Sequence, residues 1–579
     1  MGRTDDRCGP DPPLPTPGRP PHPLGGHLPQ ERRKFMTEEI ASETGREPGP
    51  PSAAEEDAGR LNDASPLRLV AVLVLLVLLT EIVPLQSSMV AAVMPKIGQS
   101  FPNSGHNIAW ILTIQGVVSG ATIAIIGKTA DMYGKKILLM ACSVLFIAGS
   151  LLCALTSSWS LFLVGRGIQA VSWGMVAVNY GLLRDIMPRK WVPIAVAVIG
   201  GGIGGAAIFG PPVVGAMTDH YSWRSVFWFL TIYTVVLAVL VAVLVPESPL
   251  RARQRFDVVG AVLFGVGIGV TLIYLSEGSS WGWSDASSLA YLAAGLVILA
   301  AFFAWERRAA APMLDLSLLR IPAVAVIYAV AFLLSSVQAE ISVLVSYMFQ
   351  TPKEGVLKQQ IVEGAAAKSH TPVSVISQVL HFRGDISYGA GFSVLDMAVH
   401  ITIWTAVFTM VFGFACGWIV RRIGARIPLI TGVAATGVAC ALWIDWHSTW
   451  QLQVAIGLVF GLGSGLHLAS FPNILIDAVP ARQTGIVTAM SSVFGSVGIA
   501  VSSAVLSSIL AAHPFQTVTT VPGRGTVVSD VPQVFTDSGF SLAYLLLGVV
   551  PCVVAFFIAF PMRAGRAPAR GGEAVAHPA

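Results

Sequence analysis

Fourteen long apolar segments occupy most of the 579-residue chain, and each is long enough to cross a lipid bilayer as a helix. Crossing the hydrocarbon core takes about 20 apolar residues. Backbone polar groups find no water there, so the segments must be helical. Charged residues make up only 12% of the chain, against roughly 25% in soluble domains. The sequence therefore predicts an all-α membrane protein with 14 transmembrane helices, approximately at 68–94, 107–127, 137–156, 159–183, 192–217, 223–245, 258–277, 287–306, 322–349, 391–420, 426–446, 451–476, 483–511 and 540–561.

Basic residues alternate between the connections, as expected if every second loop faces the cytosol. The short odd-numbered connections, such as those at 156–158 and 218–222, carry almost none. One helix more or fewer would destroy this alternation, so we predict that both termini are cytosolic in a multi-pass protein. A high ratio of Arg to Lys is typical of a GC-rich genome and favours a bacterial inner membrane. The even-numbered connections carry Lys128, Lys135, Lys136, Arg184, Arg189, Lys190, Arg251, Arg253, Arg255, Arg307, Arg308, Arg320, Arg421, Arg422, Arg426 and Arg482.

Four segments lie outside the predicted helices. Residues 1–67 are rich in Pro, Gly and charge and are predicted to be a disordered cytosolic tail, and 562–579 form a second cytosolic tail. The extracellular insertion at 350–390 has two open interpretations. It is either an external lid or partner-binding element, with an amphipathic helix near 354–367, or a tolerated mobile insertion. The segment 512–539 has no feature that we can interpret.

Two cytosolic turns resemble each other at an offset of eight helices. The first reads GKTADMYGKK at 127–136 and the second GWIVRRIGAR at 417–426, with glycines seven residues apart in both. The match predicts duplicated, pseudo-symmetric six-helix bundles at 68–245 and 322–561, with a two-helix insert at 258–306. Parallel repeats of this kind place a substrate site near the midplane. Chance similarity between glycine-rich turns is the alternative.

The first of these turns resembles the signature loop of the major facilitator superfamily, G-x-x-x-D-x-x-G-[RK]-[RK], with Gly127, Asp131, Gly134, Lys135 and Lys136 at its motif positions. Arg166-Gly-Ile-Gln169 is similar to the R-x-x-Q-G motif of that family. Fourteen helices place the resemblance nearest the drug/proton antiporter branch. It implies alternating access, with Asp131 held near the start of the thirteenth helix, at Pro480–Thr484. A plain local cap is the other interpretation of Asp131.

The fifth predicted helix contains AAIFGPPVVG at 206–215, which is similar to the antiporter motif G-x-x-x-G-P-x-x-G-G. Gly210, Pro211 and Gly215 match it, whereas Ala206 and Val214 replace two of its glycines. Small side chains permit close helix packing, and the two prolines remove backbone donors. Packing alone explains the motif as well as a role in exchange does.

Four charged side chains are predicted within or near the membrane, where each costs about 2.5–3.5 kcal/mol at the bilayer centre. They are Glu81, Arg166, Glu340 and Asp396. Glu81 and Arg166 could face each other across the cavity of the first bundle. A carboxylate beside an arginine stays ionised, and one moved into apolar surroundings takes up a proton, which would couple proton entry to transport. A static ion pair is the alternative. Asp396 lies near an outer helix end, where an interfacial position is equally compatible.

One position departs from the drug-exporting branch, which usually has Asp nine residues before a Pro in the first helix. Here Gln86 precedes Pro95 by that interval. Recognition of cationic drugs is therefore not implied, and the substrate could be neutral, a lipid-like metabolite or an endogenous natural product.

The remaining features narrow the function class. The six cysteines have no metal-ligand or disulfide spacing, and no nucleophile–base pair appears, so neither a metal site nor an enzyme is predicted. GKT at 127–129 imitates a phosphate-binding loop, but Thr122 occupies its first Gly position, which argues against a nucleotide. We expect a secondary transporter in the lipid bilayer, without cofactor or nucleic-acid partner, that exports a small hydrophobic or amphipathic compound such as a drug or antibiotic in exchange for protons. The alternatives are an exporter of an endogenous metabolite, an importer of a small solute, and a non-transporting sensor.

Overall fold

The computed structural model describes residues 60–101, 107–188, 191–249, 251, 257–309, 312, 316–479, 484–521 and 525–565. Most of the predicted amino-terminal tail, residues 1–59, lies outside this part of the chain, and so do residues 566–579 of the second tail. Residues 480–483, which include most of the predicted partner of Asp131, also lie outside it.

The first half of the described chain is helical, because its apolar segments contain few internal breakers. Its helices are α1 Pro66–Thr80, α2 Ile82–Ser100, α3 Trp110–Tyr133, α4 Lys135–Leu155, α5 Trp159–Ala170, α6 Gly174–Ile186, α7 Val192–His220, α8 Arg224–Leu244, α9 Val258–Trp281 and α10 Ala286–Glu306.

The second half adds ten helices and three strands. They are α11 Pro322–Gln350, α12 Glu354–Ser369, α13 Val373–Val379, β1 Leu380–Arg383, α14 Val394–Met397, α15 Ile403–Ile423, α16 Arg426–Asp445, α17 Trp450–Asp477, α18 Thr484–Ala512, β2 Pro514–Val521, β3 Gly525–Phe535, α19 Asp537–Ala543 and α20 Val550–Ala559. A π-helical segment joins α14 to α15, and another joins α19 to α20, so each of these pairs forms one continuous span.

Each of the fourteen predicted segments contains a helix. Among the described residues, twelve spans are long and apolar enough to cross a membrane, and the bent α3 makes thirteen. The 29-residue helix α7 occupies the fifth predicted position. The multi-pass helical architecture is thus confirmed, and the count of fourteen crossings stays a prediction. Below, the face that carries 350–390 is called external, following the predicted orientation.

The described chain is nearly all-helical as predicted, and a three-stranded antiparallel sheet with the order β1-β2-β3 is added to the helices at the external face. Leu380 of β1 pairs with Thr519 of β2, and Thr517 of β2 pairs with Ser529 of β3. The sheet joins the 350–390 insertion to the 512–539 segment, which the sequence left without an interpretation. We call residues 380–383, 514–521 and 525–535 together the external cap. The helix predicted near 354–367 is present as α12.

The first predicted span is interrupted at Glu81, which separates α1 from α2. Pro84 explains the break, because proline has no N–H to donate to the carbonyl of Thr80 and its ring crowds that carbonyl. The interruption positions a carboxylate between two helix segments inside an apolar span.

His447 links the external end of α16 to the start of the last span. Its Nδ1 lies 2.8 Å from the Trp443 carbonyl and its Nε2 lies 3.5 Å from Asp537 Oδ1. Burial lowers the pKa of the imidazole, but Asp537 and the nearby backbone carbonyls raise it more, so the pKa lies above its ordinary value. Because both ring nitrogens face acceptors, this geometry favours the doubly protonated ring.

We expect the His447–Asp537 pair to make the protein more stable at mildly acidic than at alkaline pH. A raised folded-state pKa adds stability that is complete below the ordinary value of about 6.5 and is lost as the pH rises through the folded-state pKa. A partly exposed pair of this kind contributes about 1 kcal/mol. Thermal unfolding in detergent at pH 6 and pH 9 measures the difference, which should shrink in His447→Gln. An equal pH difference in both proteins would contradict the assignment.

Candidate functional site

Glu81 is a buried carboxylate inside the first span, with only 7% of its surface exposed. Neither carboxylate oxygen makes a hydrogen bond of standard geometry to a described residue, although the backbone of Ala206 in α7 lies near it. One turn earlier, the Leu78 carbonyl accepts a hydrogen bond from Tyr233 Oη at 2.8 Å. An ionised carboxylate without partners is costly in such surroundings, whereas a protonated one is not. The position suits a group that gains and loses a proton.

Arg166 is fully buried and is surrounded by glutamine side chains. Its guanidinium donates to Gln169 Oε1 at 2.6 Å, to Gln115 Oε1 at 2.6 Å and to Gln86 Oε1 at 3.4 Å. Ser150 accepts from Gln169 Nε2 at 2.6 Å, which holds that amide in place. Four spans of the first bundle thus meet at one cation.

The structure does not bring Glu81 and Arg166 into contact. Instead Gln86, five residues after Glu81, occupies the position beside the guanidinium. Five residues on an α-helix correspond to about 500° of rotation at 3.6 residues per turn, so the two side chains leave the helix in different directions. Gln86, which replaces the Asp of the drug-exporting pattern, is therefore the residue that contacts Arg166. All the described hydrogen-bond acceptors of this guanidinium are neutral amide oxygens.

Glu340 lies in the middle of α11 and is 1% exposed. Its Oε1 accepts hydrogen bonds from Ser502 Oγ at 2.9 Å and Ser503 Oγ at 2.8 Å, both on α18. Its Oε2 is buried without a described hydrogen-bond partner. Glu340 is thus held between α11 and α18, two helices of the second bundle.

Asp396 does not lie in the core. It is exposed at the start of α14, where it forms a capping box with Ser393. The His400 ring is near the Asp396 carbonyl and stacks on Phe392 at 5.2 Å. A carboxylate that caps a helix start at the external surface satisfies backbone donors, so Asp396 has a local structural role in this geometry.

The signature loop forms the turn between α3 and α4. Asp131 Oδ1 lies 3.1 Å from Lys135 Nζ, which also contacts Asp185 Oδ2 at 2.6 Å. Lys136 Nζ donates to the Ala242 carbonyl at 2.7 Å, at the end of α8. The predicted contact of Asp131 with Pro480–Thr484 falls on residues outside the described part. Within the described part, the loop holds together the ends of α3, α4, α6 and α8 on the side opposite the external face.

Glu247 completes this loop, although no motif in the sequence pointed to it. Its Oε1 accepts from the Lys136 backbone N–H at 2.9 Å and its Oε2 from that of Ile137 at 3.0 Å, which caps the start of α4. Gly134 has φ +121°, and a Cβ there would lie 2.9 Å from a Glu247 oxygen. A glycine is therefore required at position 134, because a side chain would be strained at this φ and would collide with the Glu247 carboxylate.

Gly127 differs from Gly134. It lies within α3, and a Cβ added to it would meet no described atom within 4 Å. Gly134 thus lies in a tight turn against Glu247, whereas Gly127 has no close described neighbour. In the second repeat, Gly424 has φ +82°, so the related turn shares the positive φ of Gly134.

The antiporter-like motif contacts both halves of the chain. A Cβ at Gly210 would lie 2.5 Å from Ser88 Oγ of α2, and one at Gly215 would collide with the Leu395 backbone of α14. Pro211 lies between them in a helix that continues from Val192 to His220. The two glycines therefore serve close packing, one within the first bundle and one between the bundles.

Other contacts between the halves also lie toward the external face. Gln350 Nε2 of α11 donates to the Ala92 carbonyl of α2 at 2.7 Å. A Cβ at Gly116 of α3 would lie 2.5 Å from the Ser496 carbonyl of α18. The two halves are therefore in close contact along both of these helix pairs.

Helix α9 of the insert packs against α3 and α18, one helix from each half. Ser508 of α18 donates to the Leu275 carbonyl of α9. The insert therefore covers the seam between the bundles on one side. A groove of about 520 Å³ lies elsewhere, at the external ends of α7 and α8 beside Tyr221 and Trp228, and includes none of the predicted site residues.

Comparison with known proteins agrees with the fold and the motifs. The profile of the Major Facilitator Superfamily matches residues 76–351. The chain is 26% identical over 440 residues to the multidrug resistance protein Stp of Mycobacterium tuberculosis (strain CDC 1551 / Oshkosh), covering 74% of this chain and 73% of that protein. It is 25% identical over 443 residues to the tetracenomycin C resistance and export protein of Streptomyces glaucescens, covering 74% of each.

Among solved structures, a POT family transporter in complex with 5-aminolevulinic acid superimposes with a TM-score of 0.58. The match covers 88% of this chain and 98% of that chain at 11% identity. Identity this low extends the likeness to the fold alone.

Proposed function

Because the chain belongs to the major facilitator superfamily, we propose that this transporter exports a small hydrophobic or amphipathic compound, driven by protons that enter in exchange. It lies in a bacterial inner membrane with both termini cytosolic. Its energy comes from the proton gradient, without nucleotide or cofactor.

Glu81 is the observation that carries the proposal. It is a buried carboxylate at a break in the first span, without a hydrogen bond of standard geometry, beside Ala206 of the antiporter-like helix α7. Proton binding at such a site removes a charge that the surroundings do not compensate. Glu340 is the corresponding buried carboxylate of the second half and the second candidate for the proton.

The substrate class follows from Arg166 and Gln86. Gln86 gives the guanidinium a neutral partner, so a cationic substrate would find no carboxylate in this network. We propose a neutral or acidic compound, either a drug or an endogenous natural product. The export function that the name of the Streptomyces glaucescens relative records supports this choice.

Inside-out membrane vesicles with an acidic lumen test the function. Tetracenomycin C serves as a neutral probe, actinorhodin as an acidic one and ethidium as a cationic one. An exporter of the proposed kind accumulates a neutral or acidic probe while protons leave the lumen, and uncoupling the gradient abolishes the accumulation.

The alternatives give different results in the same vesicles. Accumulation of ethidium alone would overturn the substrate class. An importer that moves protons and solute together would release solute from the acidic lumen, and a sensor would move none of a broad panel of compounds.

A further inference from the structure

The external cap belongs to the second half of the chain by its connections and its packing. Tyr388 Oη donates to the Phe535 carbonyl at 2.5 Å, and the Ser387 backbone N–H donates to Asp537 Oδ2 at 2.7 Å. The Phe535 ring packs edge-on against Tyr347 of α11 at 5.6 Å. Phe535 of the cap thus contacts α11 and the loop after β1, and that loop in turn contacts the start of α19, so the cap is held on the second half.

The register of the sheet changes where the cap meets the helices. Pro514 pairs with Phe535, but Gln516 pairs with Asp530, so Phe515 alone lies opposite residues 531–534. A bulge of this kind redirects side chains out of the ladder. Within it, Gln533 has φ +60°, a conformation that non-glycine residues rarely adopt and that persists only where the surroundings impose it.

The bulge places the Gln533 side chain between the two halves of the protein. Its Oε1 accepts a hydrogen bond from Tyr347 Oη of α11 at 2.9 Å. On the other side, its carboxamide carbon lies 2.6 Å from where a Cβ of Gly98 in α2 would be. Only a glycine leaves room for the amide there. The strained residue therefore contacts the external end of each half's first span.

We propose that Gln533 is the external gating residue. In this proposal the cap moves as a rigid part of the second bundle, and seating the Gln533 carboxamide on Gly98 closes the external face. The proposal rests on the alternating access of the proposed function, because an outward opening must separate α2 from α11. The contact with Gly98 must then break in every cycle, whereas the contact with Tyr347 persists.

Cross-linking tests which contact must break. Gly98→Cys/Gln533→Cys joined by a short bifunctional methanethiosulfonate should lower transport at least tenfold, with recovery on reduction. The matched pair Ser387→Cys/Asp537→Cys joins the loop after β1 to the start of α19, both within the second half, and should keep transport within twofold. Background reaction is limited because the five described cysteines are buried, and Cys8→Ser removes the sixth. Full transport in the first cross-linked pair, or equal inhibition in both, would overturn the proposal.

Spin-label distances provide a readout that needs no substrate. Labels at Ser222 and Thr526 span the first bundle and the cap, and labels at Asp445 and Thr526 lie within the second half. Between alkaline and acidic pH the first distance should gain a longer component while the second stays constant. Movement of the cap away from Asp445 would contradict a rigid attachment. If the distances change as expected but the protein transports no probe, the gate is supported and the proposed function is rejected.

A single substitution separates gating from folding. Gly98→Ala displaces only the flexible end of Gln533 and should increase the long Ser222–Thr526 component at least twofold. Gly355→Ala, where an added Cβ meets no described atom within 4 Å, is the matched control and should leave the distribution unchanged. Identical distributions in Gly98→Ala and Gly355→Ala would remove Gln533 from gating.

Discussion

Glu81→Gln should abolish proton-driven export while the protein still inserts and folds. Glutamine keeps the size and polarity of the side chain but cannot exchange a proton in the accessible pH range. Because Glu81 is buried and neither carboxylate oxygen makes a hydrogen bond of standard geometry, the substitution perturbs only its contact with the Ala206 backbone. Loss of a positioned proton-transfer group costs roughly 100-fold or more in rate. Uptake into acid-loaded inside-out vesicles measures the loss, and thermal unfolding in detergent checks the fold.

Two variants make the Glu81 result interpretable. Glu81→Asp retains a titratable group and should keep part of the proton-driven rate. Glu306→Gln removes a carboxylate that is equally buried, at 4% exposure, but lies in the insert, and it should transport as the wild type does. If Glu81→Gln retains wild-type dependence on the gradient, proton coupling passes through another group, and Glu340→Gln becomes the decisive variant.

The spans could be predicted because the length of an apolar segment is a property of the sequence alone. The break at Glu81 also has a local cause, because Pro84 cannot donate a hydrogen bond to the Thr80 carbonyl. The hydrogen-bond partners of the charged residues could not be predicted from the sequence of one segment. Helix rotation decides whether Glu81 or Gln86 meets Arg166, and that rotation depends on the packing of four spans.

The external cap was missed for a different reason. β1 has only four residues, and it pairs with a segment more than 130 residues later, a distance over which neither sequence signals its partner. Gln533 acquires its conformation only from the bulge in that sheet. The serine pair at 502–503 was a visible signal, because two hydroxyls on an apolar helix need a polar partner, and Glu340 provides it.

The signature loop combines a motif that is readable from local sequence with a contact from a residue that is distant in the sequence. Its motif was readable, yet the partner that makes Gly134 indispensable is Glu247, which lies 110 residues from Ile137. Nothing in the sequence near Glu247 distinguishes a helix-capping carboxylate from a solvated one. The structure therefore shows that the signature turn between α3 and α4 works together with the segment after α8, which carries Glu247.

Gly134→Ala should be the most damaging substitution in this loop. An alanine at φ +121° is strained by about 1–3 kcal/mol. Its Cβ would also displace the Glu247 carboxylate that caps α4, and losing such a cap costs about 1 kcal/mol more. We expect a lower unfolding temperature and at least a tenfold loss of transport, since the turn holds the cytosolic ends of α3, α4 and α8 in place.

Gly127→Ala is the matched control, because it makes the same chemical change seven residues earlier in the same motif. Gly127 has helical neighbours and an added Cβ meets no described atom within 4 Å, so alanine should raise helix stability by about 0.5–1 kcal/mol. Glu247→Gln should reproduce part of the Gly134→Ala loss, since an uncharged amide is a weaker acceptor for the Lys136 and Ile137 amides. Equal unfolding temperatures for Gly134→Ala and Gly127→Ala would mean that the turn can relax around a Cβ. Glycine would then not be structurally required at position 134.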